Sequence, residues 1–112
     1  MESLASKKCV PCMGGVPPLE RSKVDELHGE VLDWQVVSYK KLRRTYDFPD
    51  FRTALDFVNR VGEIAEAEGH HPDILLSYGK VEISIWTHKI DGLTESDFIL
   101  AAKIDAMDNA GS

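Results

Sequence analysis

Apolar and polar residues alternate from Val81 to His88, where the sequence reads Val-Glu-Ile-Ser-Ile-Trp-Thr-His. A period of two is typical of a strand that buries one of its faces. The pattern therefore predicts a strand over 81–88 with Val81, Ile83 and Ile85 on the buried face. His88 ends this strand on the opposite face, which it shares with Trp86.

A helical period governs the stretch from Phe51 to Glu68. Asp50 suits the N-cap position and Gly69 the position just after the last turn. The apolar stripe of this helix comprises Phe51, Ala54, Leu55, Phe57, Val58, Val61, Gly62, Ile64 and Ala65. The stripe is wider than contact with one sheet requires, so we expect part of it to form a subunit interface. A helix buried deeply within one domain is the alternative.

Shorter patterns predict the first helix and a hairpin. Ser22-Lys-Val-Asp25 has the form of a capping box and predicts a short helix ending near Gly29. Residues 34–46 are rich in aromatic and β-branched residues and contain no proline or glycine. This composition favours two strands, joined by a tight turn around 38–41.

The last third of the chain is predicted to form a second hairpin and a final helix. Residues 74–78 form a second hairpin with the 81–88 strand, around Gly79, and Thr94-x-x-Asp97 begins a final helix that runs to about Met107. The element order is α-β-β-α-β-β-α. It predicts an α+β fold, a four-stranded antiparallel sheet with helices packed on one face.

The N-terminal 18 residues are expected to be irregular, followed by a single domain over 19–108. The breakers in this segment are Pro11, Gly14, Gly15, Pro17 and Pro18. Cys9-Val-Pro-Cys12 has the spacing of a metal or redox pair, but the sequence has no second pair to complete a zinc site. We expect a non-catalytic segment packed on the domain. Zinc binding with His28 or another subunit is the alternative, and His28 is otherwise expected at the surface.

The net charge and the length of the apolar runs limit the classes of function that the protein can have. A net charge of −6 argues against a general nucleic-acid binder, which needs a basic face. The short basic run Lys40-Lys41-Leu-Arg43-Arg44 is expected to be a solvated strand face, with a binding patch as the alternative. No apolar run reaches the ~20 residues of a membrane-spanning helix, and the N-terminus lacks an apolar signal region. We therefore expect a cytoplasmic protein.

Candidate chemistry is concentrated between Glu66 and Asp97, where three of the four histidines lie. Histidine titrates near neutral pH, so such a group suggests acid–base chemistry or metal binding. His70 and His71 follow a helix end, and Pro72 favours an extended backbone there. A loop at a helix end and the end of the 81–88 strand can meet in one cleft, where we place the site.

The spaced pattern Glu66, His70-His71-Pro72, Tyr78, His88 and Asp97 resembles the pterin-4a-carbinolamine dehydratases. The resemblance extends from about Trp34 to about Ile104. It implies the same α+β fold and a tetrameric assembly. Together with the wide apolar stripe, this leads us to expect a homotetramer, or at least a dimer, held partly by the helix over 51–68. The resemblance also implies a hydro-lyase that converts 4a-hydroxytetrahydropterin (4a-hydroxytetrahydrobiopterin) to quinonoid dihydropterin and water. Such an enzyme takes part in tetrahydrobiopterin recycling beside an aromatic amino acid hydroxylase, with no metal and no cofactor.

The resemblance also assigns roles to residues. It makes His70 and His88 the acid and the base, and His71 an orienting residue. In it, Glu66 and Asp97 hold the histidines or shape the pocket, and the supporting or substrate-binding positions are Pro72, Tyr78 and Trp34. From the sequence, Glu66 could equally be a solvated residue at a helix end, and Asp97 an acid that the helix dipole favours at a helix start. From the sequence, Trp34 could equally belong to the core.

Two other classes of function remain open. A metal-dependent hydrolase would use the three histidines and Asp97 as ligands, although neighbours in an extended loop point apart. A non-catalytic module of the same fold, a dimerisation cofactor or an assembly factor, is the second alternative. The intact His-His-Pro and Thr-His segments favour the enzyme over this module.

Overall fold

Four antiparallel strands form one sheet, with three helices packed against one of its faces. The structure is a computed structural model that describes residues 4–9 and 17–111, with side chains as far as residue 108. The helices and strands are α1 (Arg21–His28), β1 (Gln35–Val37), β2 (Lys41–Asp47), α2 (Phe51–Glu68), β3 (Asp73–Ser77), β4 (Lys80–Ile85) and α3 (Glu95–Gly111). The predicted fold class and element order are confirmed. Within the described residues, no helix is both long and apolar enough to cross a bilayer.

The strand order is β1-β2-β4-β3, so each hairpin contributes one central and one edge strand. Val81, Ile83 and Ile85 of β4 are fully buried beneath the helices, as the alternation predicts. The strand itself ends at Ile85 and not at His88. Residues 88–90 instead form a 3₁₀ turn, whose backbone leaves the sheet.

The limits of α2 are set by its two caps. Asp50 Oδ1 accepts hydrogen bonds from the Thr53 backbone N–H at 2.8 Å and from the Thr53 hydroxyl at 2.7 Å. These bonds lower the pKa of Asp50. Gly69 ends the helix in the left-handed region, with φ of 64°, which glycine adopts without steric cost. The predicted start and end of this helix are both confirmed.

The most enclosed helix is α3. Four consecutive residues, Phe98 to Ala101, are buried, because the helix contacts α1, α2, β2 and the 3₁₀ turn Leu4–Ser6. Leu4 is buried in the core, and Lys103 Nζ donates to the Ala5 carbonyl at 2.8 Å. The sequence left open that α2 is buried deeply within the domain. In the structure, the deeply buried helix is α3.

Two expectations near α1 are wrong. The helix begins at Arg21 with Glu20 as N-cap, so Ser22 lies inside the first turn and the predicted capping box does not form. His28 is half-buried rather than a free surface residue. Its Nε2 lies 2.7 Å from the Trp34 carbonyl oxygen, which can only accept, so His28 donates at Nε2.

The first hairpin turns where the sequence predicts, without the usual turn residues. Ser38 and Tyr39 both have positive φ, 52° and 55°, as a type I′ turn requires. The Lys40 N–H donates to the Val37 carbonyl at 2.9 Å. Contacts with α1 hold the Tyr39 ring in this turn, which offsets the strain of a bulky residue there. Its hydroxyl donates to Asp25 at 3.1 Å.

Candidate active site

The centre of the candidate site is a close pair formed by His70 and Asp97. Nε2 of His70 lies 2.6 Å from Oδ1 of Asp97, with side chains 15% and 0% exposed. His70 comes from the loop that follows Gly69, and Asp97 from the first turn of α3. A buried carboxylate requires hydrogen-bond donors, and the imidazole supplies one of them.

The other carboxylate oxygen of Asp97 receives two donors. The Thr94 backbone N–H donates to Oδ2 at 2.8 Å, which is one of the two hydrogen bonds of the predicted capping box, and the Thr87 hydroxyl donates to it at 2.9 Å. The Thr94 hydroxyl lies 3.1 Å from that of Thr87 and must donate to it, because the Thr87 proton is already engaged.

This network determines how His70 is oriented. Asp97 accepts at Oδ2 from Thr87 and Thr94, and with Oδ1 accepting as well, His70 carries its proton on Nε2. Among the described residues, Nδ1 of His70 has no hydrogen-bond partner. A neutral imidazole held in this way presents a basic nitrogen away from the carboxylate, and the carboxylate stabilises the imidazolium formed when that nitrogen takes a proton.

His88 is carried by a short loop whose ends are tied together. The Thr87 N–H donates to the Gly92 carbonyl at 2.9 Å, and Gly92 donates back at 3.4 Å. A Cβ at Gly92 would lie 2.9 Å from the Pro18 side chain, so the loop also rests closely on the segment leading into α1. Thr87 therefore links the His88 loop to Asp97, and through it to His70.

The three histidines line one open pocket of ≈ 290 Å³. Its other walls are Gly69, Trp86, Thr87 and Lys89. The Trp86 and His88 ring centroids lie 4.2 Å apart, with the ring planes inclined by 50°. The volume falls at the lower end of small-molecule sites and suits a compact ring system.

His71 has a carboxylate partner of its own at the rim. Its Nε2 lies 2.9 Å from Glu66 Oε2, with side chains 62% and 78% exposed. An exposed pair of this kind contributes little to stability. Pro72 follows directly and leads into β3. The expected placement of Glu66 beside a histidine is observed, and the histidine is His71.

Two expected site residues lie apart from this pocket. Trp34 is buried in the core, where its Nε1 donates to Asp105 Oδ1 at 2.8 Å, so of the two alternatives for Trp34 the core is observed. Tyr78 is 76% exposed in the β3–β4 turn, at the end of the hairpin opposite to His71. Neither side chain contributes to the histidine pocket within one chain.

A larger depression of ≈ 410 Å³ lies beside β1 and β2, lined by Asp33, Gln35, Arg43, Arg44 and Thr45. Arg44 is engaged there with Asp105 at 2.7 Å and with Asp33 at 3.8 Å. The histidine pocket combines titratable groups with a buried carboxylate, so we assign the site to the histidine pocket despite its smaller volume.

Two further expectations concern metal binding and the thiols of the N-terminal segment. In the ranges 4–9 and 17–111, no three His, Cys, Asp or Glu side chains are grouped closely enough to hold a metal ion. Cys9 packs on the domain, with its Sγ donating to the Ser96 carbonyl at 3.4 Å. Burial, together with the negative charge of Glu68, raises the Cys9 pKa to about 12. Cys12 lies outside the described residues.

The sequence of the chain is similar to those of known proteins. The family model for pterin 4 alpha carbinolamine dehydratase matches residues 17–107. The chain belongs to this family. A relative from Rubrobacter xylanophilus, provisionally named pterin-4-alpha-carbinolamine dehydratase, is 56% identical over 107 residues, which cover 96% of this chain and 100% of the relative. The resemblance inferred from the sequence is confirmed, and with it the expectation of a hydro-lyase at the level of the family.

Solved structures agree on the fold. A Brucella melitensis protein described as a transcriptional coactivator/pterin dehydratase has a TM-score of 0.75 at 32% identity, covering 80% of this chain and 97% of that chain. A pterin dehydratase-like protein identified as a RuBisCO assembly factor in the alpha-carboxysome has a TM-score of 0.54 at 21% identity. That match covers 66% of this chain and 84% of the other. This second likeness concerns the fold alone.

Sequence reasoning missed three residues of the site. Thr87 and Thr94 share the Asp97 carboxylate, and Trp86 contacts His88. The Thr94-x-x-Asp97 spacing indicated one of these hydrogen bonds. The alternation along β4 put Trp86 on the face of His88, but their contact depends on the turn over 88–90, which that pattern did not predict.

Proposed function

We propose that this protein dehydrates 4a-hydroxytetrahydropterin to quinonoid dihydropterin by histidine general acid–base catalysis, in the recycling of tetrahydrobiopterin. The observation that carries the proposal is the His70–Asp97 pair at 2.6 Å in the pocket that His71 and His88 also line. Family membership supports the substrate class.

The reaction breaks one carbon–oxygen bond and one nitrogen–hydrogen bond. The C4a hydroxyl leaves as water after it takes a proton from an acid, and the ring nitrogen gives a proton to a base. The electron pair of the N–H bond forms the new double bond to C4a, so there is no net oxidation. Two positioned groups that titrate near neutral pH are sufficient, and each proton transfer of this kind contributes roughly 10²–10⁴-fold.

His70 is suited to one of these transfers because Asp97 holds its orientation and its tautomer. The carboxylate accepts from Nε2–H, which leaves Nδ1 to exchange a proton with the substrate. When His70 is protonated, the negative charge of Asp97 compensates the imidazolium in a largely buried setting.

His88 lines the same pocket and carries the second transfer. His71 lies at the rim with its Nε2 bonded to Glu66, a position suited to holding the pterin ring rather than to exchanging its protons. Neither step requires a metal ion or a redox cofactor.

A purely non-catalytic role accounts for less of this arrangement. Capping of α3 explains the Asp97 oxygen bonded to Thr94, because helix N-termini need such acceptors. It does not explain the second oxygen, which is bonded to His70, a residue that lines the pocket. In an acid–base enzyme both contacts have a role, because one caps α3 and the other orients His70.

We also propose that the protein assembles through α2. Ala54, Phe57, Val61 and Ala65 face the core, and Phe51, Leu55, Val58 and Gly62 form a second line of apolar or small residues along its flank, of which Val58 also packs against the core. Leu55 is 36% exposed, and Val58 is partly exposed. Covering this line in a homotetramer or a dimer would remove apolar surface from water. The cytoplasmic location and the hydroxylase of the same pathway remain predictions.

The direct test is dehydration of chemically generated 4a-hydroxytetrahydropterin, followed by the loss of its ultraviolet absorption in a stopped-flow instrument. The protein should accelerate the reaction well above the spontaneous rate, with or without a chelator. A rate equal to the spontaneous one contradicts the proposal. Activity lost on chelation and restored by one divalent ion would favour the metal-dependent alternative.

A further inference from the structure

The three histidines of the pocket differ in their hydrogen-bond partners. Nε2 of His70 is bonded to Asp97, and Nε2 of His71 is bonded to Glu66. In the part of the chain that the structure describes, His88 has no carboxylate or other hydrogen-bond partner, and its side chain is exposed. A free imidazole on a 3₁₀ turn would sample several rotamers.

The group that His88 does contact is the indole of Trp86. The ring centroids are 4.2 Å apart at an inclination of 50°, within the range in which aromatic pairs attract each other. The two residues lie two positions apart along the chain, where β4 gives way to the turn over 88–90, and both line the pocket.

Trp86 is in turn held by a cation from the neighbouring strand. Nζ of Lys41 lies 5.3 Å from the centroid of the Trp86 ring, a cation–π distance. Leu42 is paired with Ile85 in the β2–β4 register, so the strands themselves bring Lys41 opposite Trp86. The result is a row of three side chains, Lys41, Trp86 and His88, that leads from the first residue of β2 into the pocket.

We infer that Trp86 is the positioning residue of His88, fixing the orientation of its imidazole as Asp97 does for His70. The inference rests on the proposed function for its catalytic consequence, whereas the contact itself can be measured without turnover. A contact between two rings uses neither imidazole nitrogen for a hydrogen bond, which suits a group that exchanges protons with substrate.

The test compares Trp86→Ala and Trp86→Phe with the parental protein, and uses Leu32→Ala as the matched control. Leu32 is a large exposed apolar residue in the loop before β1, away from the pocket. Folding is checked by circular dichroism. The readouts are steady-state dehydration kinetics and the proton NMR shifts of the His88 ring, assigned by their absence from His88→Ala.

Trp86→Ala should lower kcat on the order of tenfold, because an aromatic pair of this kind biases one ring orientation by about that factor. KM should change by less than about twofold, since a positioning residue acts on the reacting geometry. Trp86→Phe should recover most of the rate. The ring-current displacement of the His88 protons should vanish in Trp86→Ala, persist in part in Trp86→Phe and remain in Leu32→Ala.

Two results would overturn the inference. A raised KM with unchanged kcat would make Trp86 a substrate-binding residue, and His88 resonances unaffected by Trp86→Ala would show that the indole does not hold the ring. If the parental protein lacks dehydratase activity, the proposed function fails, and the NMR shifts alone then decide whether Trp86 positions His88.

Discussion

Asp97 Oδ1 lies 2.6 Å from His70 Nε2, although the two residues are 27 positions apart in the sequence. The same carboxylate caps the first turn of α3 through the Thr94 N–H. The start of α3 and the centre of the site are therefore one hydrogen-bonded unit. A helix enclosed by the rest of the fold holds the carboxylate that orients the histidine.

Asp97→Asn should lower kcat on the order of 10²-fold or more, by analogy with the loss of the orienting carboxylate in catalytic triads. The amide can still accept from Thr94, but it presents an N–H toward His70 and cannot compensate an imidazolium. The matched control is Asp105→Asn, a second largely buried aspartate, which binds Trp34 and Arg44 outside the pocket. Steady-state kinetics on both variants should show the loss in Asp97→Asn alone. Parental turnover in a folded Asp97→Asn protein would contradict the assigned role.

His28→Ala should lower the free energy of unfolding by about 1 kcal/mol, the net worth of a typical hydrogen bond. The reason is the bond from His28 Nε2 to the Trp34 carbonyl, which alanine leaves without its donor. Urea denaturation measures the change, and kcat should stay at the parental value because His28 lies outside the pocket. Unchanged stability would mean that this bond contributes nothing measurable.

Leu55→Asp should reduce the mass of the protein in solution toward that of a single chain. A charge placed on this flank of α2 would be buried in the proposed interface, where an unpaired carboxylate is costly. Sedimentation of the variant at micromolar concentration gives the mass. The control, Leu32→Asp, changes another exposed leucine and should leave the assembly intact. A parental protein that sediments as a monomer would refute assembly through α2.

Cys9 should react slowly with iodoacetamide at pH 8. Its pKa is raised to about 12, chiefly by burial, and only the thiolate reacts. At pH 8 about one thiol in 10⁴ would be ionised. The measurement uses a Cys12→Ser protein, in which Cys9 is the one remaining cysteine of the sequence. Mass spectrometry should show fast labelling in denaturant and slow labelling when folded. Equal rates in the two states would place Cys9 in contact with solvent.

The sequence predicted those parts of the fold that depend on local pattern. The alternation along β4 and the caps of α2 at Asp50 and Gly69 correspond directly to the structure. The capping box at Ser22 failed because local chemistry allows several start points, and the helix begins at Arg21. The burial of α3 was missed because it depends on the segment around Leu4, which is distant in sequence.

The same distinction applies to the site. The spacing of the histidines and of Asp97 in the sequence indicated the site. It did not indicate which side chain each of these residues contacts. Glu66 is four residues before His70 in the sequence, yet it contacts His71, because the chain turns at Gly69 in the left-handed conformation. Tertiary packing alone decides that Trp34 bonds to Asp105 rather than facing the pocket.

Kinetics of His70→Ala, His88→Ala and the double variant test the central claim most directly, with His28→Ala as a histidine control and folding checked by circular dichroism. Each single change should lower kcat by roughly 10²–10⁴-fold, down to the limit set by the spontaneous reaction. The double variant should lose little more than the worse single one, because the two residues act as one unit. His71→Ala should instead raise KM. Near-parental kcat in folded His70→Ala and His88→Ala proteins would show that the proton transfers take place elsewhere.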